Sequence, residues 1–240
     1  MKLEVLQAAK SFGTRELFQD VSFEVSAGEI VGLFGRNGTG KSTLLQMIFG
    51  LLSADSLILK VDGQTVSPKE VIPNKIVGYL PQERFLPAKR SIRSIIPLYF
   101  QDQDTLDDIF YAPAVSTFEQ KKPAELSQGQ QKYIEILLVS HLAHPFLLLD
   151  EPFSMIDPLY KDLIKQLLQR LKTHKGILVT DHYYQDILQI SNRNYLLHEG
   201  QIQTVAGEKS LRELGYLSTR MKEKGNDWDD FYCFAEFIPP

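Results

Sequence analysis

Eight consecutive residues, Gly35-Arg36-Asn37-Gly38-Thr39-Gly40-Lys41-Ser42, fit the pattern G-x-x-x-x-G-K-[ST]. Glycines let the backbone fold tightly and turn its N–H groups on phosphate oxygens, a following helix offers its positive end, and Lys41 brings a mobile positive charge. Ser42 supplies a hydroxyl for a magnesium ion, and Thr43 begins the helix-like run. Three more polar sites invite chemistry: Gln82, the pair Asp150-Glu151, and His182.

Each of these follows a short apolar run. Residues 30–34, 76–80, 146–149 and 177–180 are continuously apolar, as parallel strands covered on both faces must be. Ligands of open parallel sheets bind beyond the carboxyl ends of the strands, so the phosphate loop, Gln82, Asp150-Glu151 and His182 should converge on one edge. The first ~25 residues alternate apolar and polar, notably Val21, Phe23 and Val25, which predicts an antiparallel layer beside that sheet. After Asp157, a helix N-cap, and Pro158 at the first helical position, Leu159, Leu163, Leu167 and Leu171 read as a core-facing stripe that Gly176 stops. Between Gln82 and Leu126 the pattern is broken by Pro87, Pro97, Pro113 and Pro123. It reads as a small helical insertion in which Asp102, Asp104, Asp107 and Asp108 form a solvated face.

A chain of 240 residues accommodates one sizeable domain with an insertion. Its formal net charge of -4 gives no sign of a nucleic-acid surface, and no nucleic-acid partner is expected. The single cysteine, Cys233, has no partner for an internal disulfide, which favours a reducing compartment. No stretch reaches the roughly 18 apolar residues of a membrane span, and the opening Met1-Lys2-Leu3-Glu4 lacks a signal-peptide core. With one phosphate loop, any second nucleotide site must come from another chain.

Leu126-Ser127-Gln128-Gly129-Gln130 precedes a helix-like run over 132–142, and then comes Phe146-Leu147-Leu148-Leu149-Asp150-Glu151-Pro152. In this order, downstream of the phosphate loop, the chain to about Gly207 resembles the nucleotide-binding domain of ATP-binding cassette (ABC) proteins. The resemblance implies an α/β fold: a P-loop NTPase core of the ABC type with a mostly parallel sheet, an N-terminal antiparallel β layer and a helical subdomain insertion. The core would take about 1–83 and 143–215, the helical subdomain about 84–142, and a tail 216–240.

The same resemblance implies roles for single residues. Phe12 stacks on adenine, although a buried core aromatic is the competing reading. Gly35 through Ser42, with Thr43, hold the phosphates. Gln82 touches magnesium and the attacking water, and senses a partner protein. Ser42 ligates magnesium, and Asp150 holds it through water. Glu151 is the general base, and His182 contacts the γ-phosphate. Ser127, Gly129 and Gln130 contact nucleotide bound to a second copy, and Asp157 communicates across that dimer. ATP and Mg²⁺ are the implied ligands. A second copy, or a homologous ABC subunit, and separate membrane-spanning subunits are the implied partners, at the cytoplasmic face of the cell membrane.

Two departures from the family pattern stand out. Gln128 replaces the first glycine of the common L-S-G-G-Q, and Leu137-Leu138-Val139-Ser140 stands where many relatives carry an arginine. Trp228, Phe231, Tyr232, Phe234 and Phe237, interleaved with acidic residues, are expected either to fold back on the domain or to dock on a partner. The segment Gly78-Tyr79-Leu80-Pro81-Gln82-Glu83 is similar to that in some bacterial branched-chain amino-acid importers and lipopolysaccharide exporters. An ATPase motor for a membrane transporter is therefore the first expectation. A soluble ABC ATPase serving a macromolecular assembly, such as an iron-sulfur cluster scaffold, is the second. A P-loop GTPase fails because Asn74-Lys75-Ile76-Val77 lacks the aspartate of the guanine-reading N-K-x-D, and a P-loop kinase fails because the L-S-x-G-Q signature has no role in kinases.

Overall fold

The computed structural model describes residues 1–217. Cys233 and the aromatic and acidic stretch at 226–240, together with the rest of the expected tail beyond Leu217, lie outside them.

The alternation near the start builds a long hairpin, β1 (Lys2–Phe12) against β2 (Arg15–Ser26), antiparallel from Lys2↔Ser26 to Phe12↔Arg15. After β3 (Ile30–Phe34) and α1 (Lys41–Phe49), β4 (Ser56–Val61) and β5 (Gln64–Val66) extend that hairpin into a sheet ordered β2-β1-β4-β5. A short helix, α2 (Pro68–Val71), leads into β6 (Val77–Leu80).

The helical insertion follows: α3 (Ile92–Tyr99), α4 (Gln103–Phe110), two 3-10 turns, and α5 (Gln128–His141). Asp102, expected only as part of a solvated face, caps α4 by accepting from Thr105 N at 2.8 Å. Leu137, Leu138, Val139 and Ser140 are buried, so this departure from the family pattern packs into the core.

The chain then alternates β7 (Phe146–Asp150), α6 (Pro158–Leu171), β8 (Gly176–Thr180), α7 (Tyr184–Ile190), β9 (Arg193–His198) and β10 (Gln201–Val205), and reaches α8 (Glu208–Glu213). The second sheet is ordered β10-β9-β3-β8-β7-β6, parallel throughout except for the β9/β10 hairpin. The strands expected from the four apolar runs are β3, β6, β7 and β8, and every residue in them is buried.

Their period of two divides the core. Val31, Leu33, Val77, Tyr79, Phe146, Leu148 and Leu178 pack towards the antiparallel layer. Ile30, Phe34, Leu80, Leu147, Leu149, Ile177 and Val179 pack towards the helices. Each fully buried aliphatic side chain contributes about 1.5–3 kcal/mol, so two apolar faces hold the strand ends in fixed register.

The leucine stripe of α6 is corrected. Asp157 is the N-cap and Pro158 opens the helix as expected, but Leu159 is 61% exposed and the buried face is Tyr160, Ile164, Leu167 and Leu168. A strict four-residue spacing advances about 40° per step around a helix of 3.6 residues per turn. It drifts off the core over three steps, and only Leu167 of the four leucines is fully buried. The helix also stops at Leu171, and Gly176 begins β8 instead of ending the helix.

Candidate active site

The phosphate loop joins the buried strand β3 to α1, as its flanking patterns require. Gly40 has φ 102°, and a Cβ there would lie 2.6 Å from Leu17 Cδ2, so both backbone and space demand glycine. Lys41 is buried, and its ammonium turns back over the loop to donate to Gly35 O at 2.6 Å and Arg36 O at 3.3 Å. Burial pulls its pKa below the usual lysine value, opposed by Glu151, Asp150 and Asp181. The Thr39 hydroxyl closes the loop on Arg36 O at 2.9 Å, while the Arg36 guanidinium donates outward to Gly215 O at 2.7 Å.

Beyond the parallel strands lies a cavity of about 340 Å³ lined by Asn37, Gly38, Gly40, Lys41, Ser42, Thr43, Gln82, Glu151 and His182. The fold has brought together groups as far apart in the chain as Asn37 and His182 because β3, β6, β7 and β8 end on one edge. Asp150, at the end of β7, is buried beneath them and accepts from the Thr180 hydroxyl at 2.9 Å and the Tyr79 hydroxyl at 3.4 Å. Burial raises its pKa, against the opposing pull of the Ser42 and Thr180 hydroxyls.

Glu151 follows immediately but leaves the strand in the left-handed region, φ 54°, a conformation costing on the order of 1 kcal/mol or more for a residue with a Cβ. This turn separates it from its neighbour: Asp150 points into the interior and Glu151 into the cavity. The Gln82 side-chain amide donates to Glu151 Oε2 at 2.9 Å, and His182 Nε2 lies 2.8 Å from Glu151 Oε1. That hydrogen bond lowers the glutamate's pKa and raises the histidine's, so at neutral pH Glu151 is a carboxylate able to accept a proton.

The remaining expected residues sit outside this cavity. Phe12 is 52% exposed at the end of β1, with Lys10 Nζ 5.0 Å from its ring, which excludes the buried-core reading. Ser127 is exposed as the N-cap of α5 and forms a capping box with Gln130: Gln130 N donates to Ser127 Oγ at 3.2 Å and Ser127 N to Gln130 Oε1 at 3.0 Å. Gly129 is packed from within its own chain, for a Cβ would meet Asp157 Oδ2 and Tyr160 Cδ2 at 2.8 Å each. Asp157 caps α6 by accepting from Tyr160 N at 3.3 Å.

Sequence reasoning missed Thr180 and Tyr79, which hold Asp150, and Asp181, which is fully buried. The only signal was their position, beside His182 and within a strand.

The family model described as ABC transporter matches residues 18–154. The chain belongs to the ABC transporter family. It is accordingly an ATP-binding ATPase. Among its ABC relatives, the lipopolysaccharide export system ATP-binding protein LptB of Acidithiobacillus ferridurans is 32% identical over 222 residues, covering 87% of this chain and 92% of that one. LptB of Escherichia coli K12 is 30% identical over 206 residues, 81% of this chain and 86% of that one. A solved structure titled "Structure of ATP binding subunit of ABC transporter" shares the fold with a TM-score of 0.76 at 23% identity, over 90% of this chain and 94% of that one.

The ABC site also offers what a magnesium ion needs. Mg²⁺ takes one or two carboxylates, hydroxyls, waters and substrate phosphates. The buried Asp150 carboxylate has the Ser42 hydroxyl against it, and Gln82, whose nitrogen is committed to Glu151, keeps an amide oxygen free for a cation. Among the described residues no cluster of three or more His, Cys, Asp or Glu could hold a metal, so phosphate and water oxygens must complete the set.

Proposed function

We propose that this chain is the motor subunit of an ABC transporter, binding Mg²⁺-ATP in the cavity above α1 and hydrolysing it as a head-to-tail pair of copies. It would sit at the cytoplasmic face of the membrane through separate membrane-spanning subunits. One observation carries the reading: Lys41, Ser42, Gln82, Glu151 and His182 line a single cavity, whereas Ser127 stands exposed at the start of α5. The chain thus carries one phosphate cradle and, elsewhere, an exposed, self-capped helix N-terminus able to face the nucleotide of a second copy. No helix among the described residues is long and apolar enough to cross a membrane, so on this reading the path for cargo belongs to other chains. The LptB relatives, named as parts of an export system, support transport.

In this reading Phe12 stacks on adenine, while the loop N–H groups and Lys41 hold the phosphates. A magnesium ion held by Ser42, Asp150 and the Gln82 amide oxygen would neutralise charge on the β- and γ-phosphates. Glu151 takes a proton from water as the water oxygen bonds to the γ-phosphorus and the bond to the β–γ bridging oxygen breaks. His182 orients that carboxylate and reaches the γ-phosphate. Both Glu151 oxygens are engaged here, by Gln82 and His182, so the water must displace one contact, and closure of the dimer supplies the occasion. Asp157, next to the signature helix, carries the state of one site to the other.

Glu151→Gln tests the reading. Turnover should fall by about two to four orders of magnitude while ATP binding persists and stabilises the dimer; unchanged turnover would remove Glu151 as the base. Copurification of this variant with a polytopic membrane protein is expected. Capture of a soluble scaffold in its place would favour the assembly-directed alternative.

A further inference from the structure

The parallel ladder between β7 and β8 ends at the pair Asp150↔Thr180, so the sheet itself does not fix Glu151 relative to His182. One step beyond, Glu151 N donates to Thr180 O at 2.8 Å, and the backbone then turns away in the left-handed conformation. Beyond that point the two loops meet at the Glu151–His182 contact and, buried beneath it, at Asp181. Its fully buried carboxylate accepts from Phe153 N at 2.6 Å through Oδ2, and from the Ser154 hydroxyl and Tyr183 N at 3.0 Å each through Oδ1. Phe153 and Ser154 follow Glu151, and Tyr183 follows His182.

Resting on the reading of Glu151 as the base, we propose that Asp181 is a positioning residue that clamps the loop carrying Glu151 to the loop carrying His182. Three donors from two loops converge on one acceptor-only group. No other side chain of that length satisfies them, since an asparagine would set an NH₂ against N–H groups. The clamp holds the strained turn at Glu151, which persists only where neighbouring contacts over-determine it. Lys161 on α6 braces the outer side of the same loop, with its ammonium 3.6 Å from the Tyr183 ring centroid and 2.8 Å from Asp186.

The test measures ATP affinity with a fluorescent ATP analogue, and turnover per ATP-binding site, on the full chain at concentrations where ATP-dependent dimers form. Asp181→Asn should lower turnover about 10- to 100-fold with affinity changed less than about two-fold, the signature of a group acting only in the chemical step. In a His182→Ala background the same substitution should lower turnover by less than about three-fold, because residues acting through one contact are not additive. A merely structural role would reduce the number of competent sites, leave turnover per site intact, and make the two losses multiply; either result overturns the proposal. If Asp181→Asn fails to fold, Ser154→Ala removes one donor to Asp181, together with its contact to Glu151, without leaving a buried charge bare. It should lower turnover about three- to ten-fold at unchanged affinity, and unchanged turnover again overturns the clamp. Glu151→Gln is run in parallel: its turnover surviving would sink the base assignment, whereas its loss beside an intact Asp181→Asn sinks only the clamp.

Discussion

The phosphate-loop edge and the signature segment, which the proposed function assigns to one reaction, are built differently. At the phosphate loop the working groups are tied to one another, from buried Lys41 and Asp150 out to exposed Gln82 and His182: Lys41 to its own loop, Asp150 to Thr180 and Tyr79, Glu151 to Gln82 and His182. At the signature segment Ser127 and Gln130 cap their own helix and Gly129 packs on Asp157 and Tyr160. On the proposed function the first is preorganised to bind a ligand alone, and the second is a stable surface for the ligand of another copy. On that proposal a half-site is rigid without being complete, since helix capping holds Ser127 in place within its own chain.

Four experiments separate the two regions. Lys41→Ala removes the buried cation of the cradle and should weaken ATP binding by about 10- to 100-fold in a fluorescence titration of the monomer, the worth of a hydrogen bond to a charged group. A smaller loss would mean that the loop N–H groups alone carry affinity. Phe12→Ala should weaken the same titration about three- to ten-fold, from the loss of one stacking contact; unaltered affinity would leave the exposed ring without a role in this site.

Ser127→Ala should lower stability by about 1 kcal/mol through loss of the cap, or about 2–4 °C in melting temperature, and should abolish ATP-dependent dimers while leaving monomer affinity unchanged. If monomer affinity falls with it, the contrast between the two regions breaks.

The smallest effect concerns pH. The raised pKa of His182 contributes stability that is fully present below its ordinary 6.5 and is lost as pH rises through the folded value. The lowered pKa of Glu151 contributes stability present above its ordinary 4.5 and lost as pH falls through the folded value. The contact therefore contributes fully between those two ordinary values. Because His182 is 36% exposed, screening limits the contribution to under about 1 kcal/mol. Denaturant titrations should show it fading from slightly acid to alkaline pH, and His182→Ala should flatten that dependence. A variant whose slope matches the parent would show that the contact adds nothing to stability.

The buried strands and the phosphate loop were legible because their signals are local. Continuous apolar runs marked β3, β6, β7 and β8, and Asp157 with Pro158 marked the start of α6. The face of α6 was not legible, since four regularly spaced leucines masked the buried Tyr160, Ile164 and Leu168, and which side meets the core depends on α5 lying across it. Asp102 as a cap and Asp181 as a clamp escaped for a related reason: a carboxylate's partners are set by the path of the backbone, and Asp181 reaches residues nearly thirty positions away.

By itself, the sequence determined the kind of chemistry. Gly40, Lys41 and Ser42 compel a phosphate loop wherever strand and helix flank them, because the requirement is a backbone conformation and a charge within a few residues. Only the tertiary structure decided that Glu151 turns away from Asp150, that both its oxygens meet Gln82 and His182, and that Gly129 is filled by its own chain. Those facts depend on where distant strands end in register, and register is fixed by the packing of two apolar faces that no single segment contains.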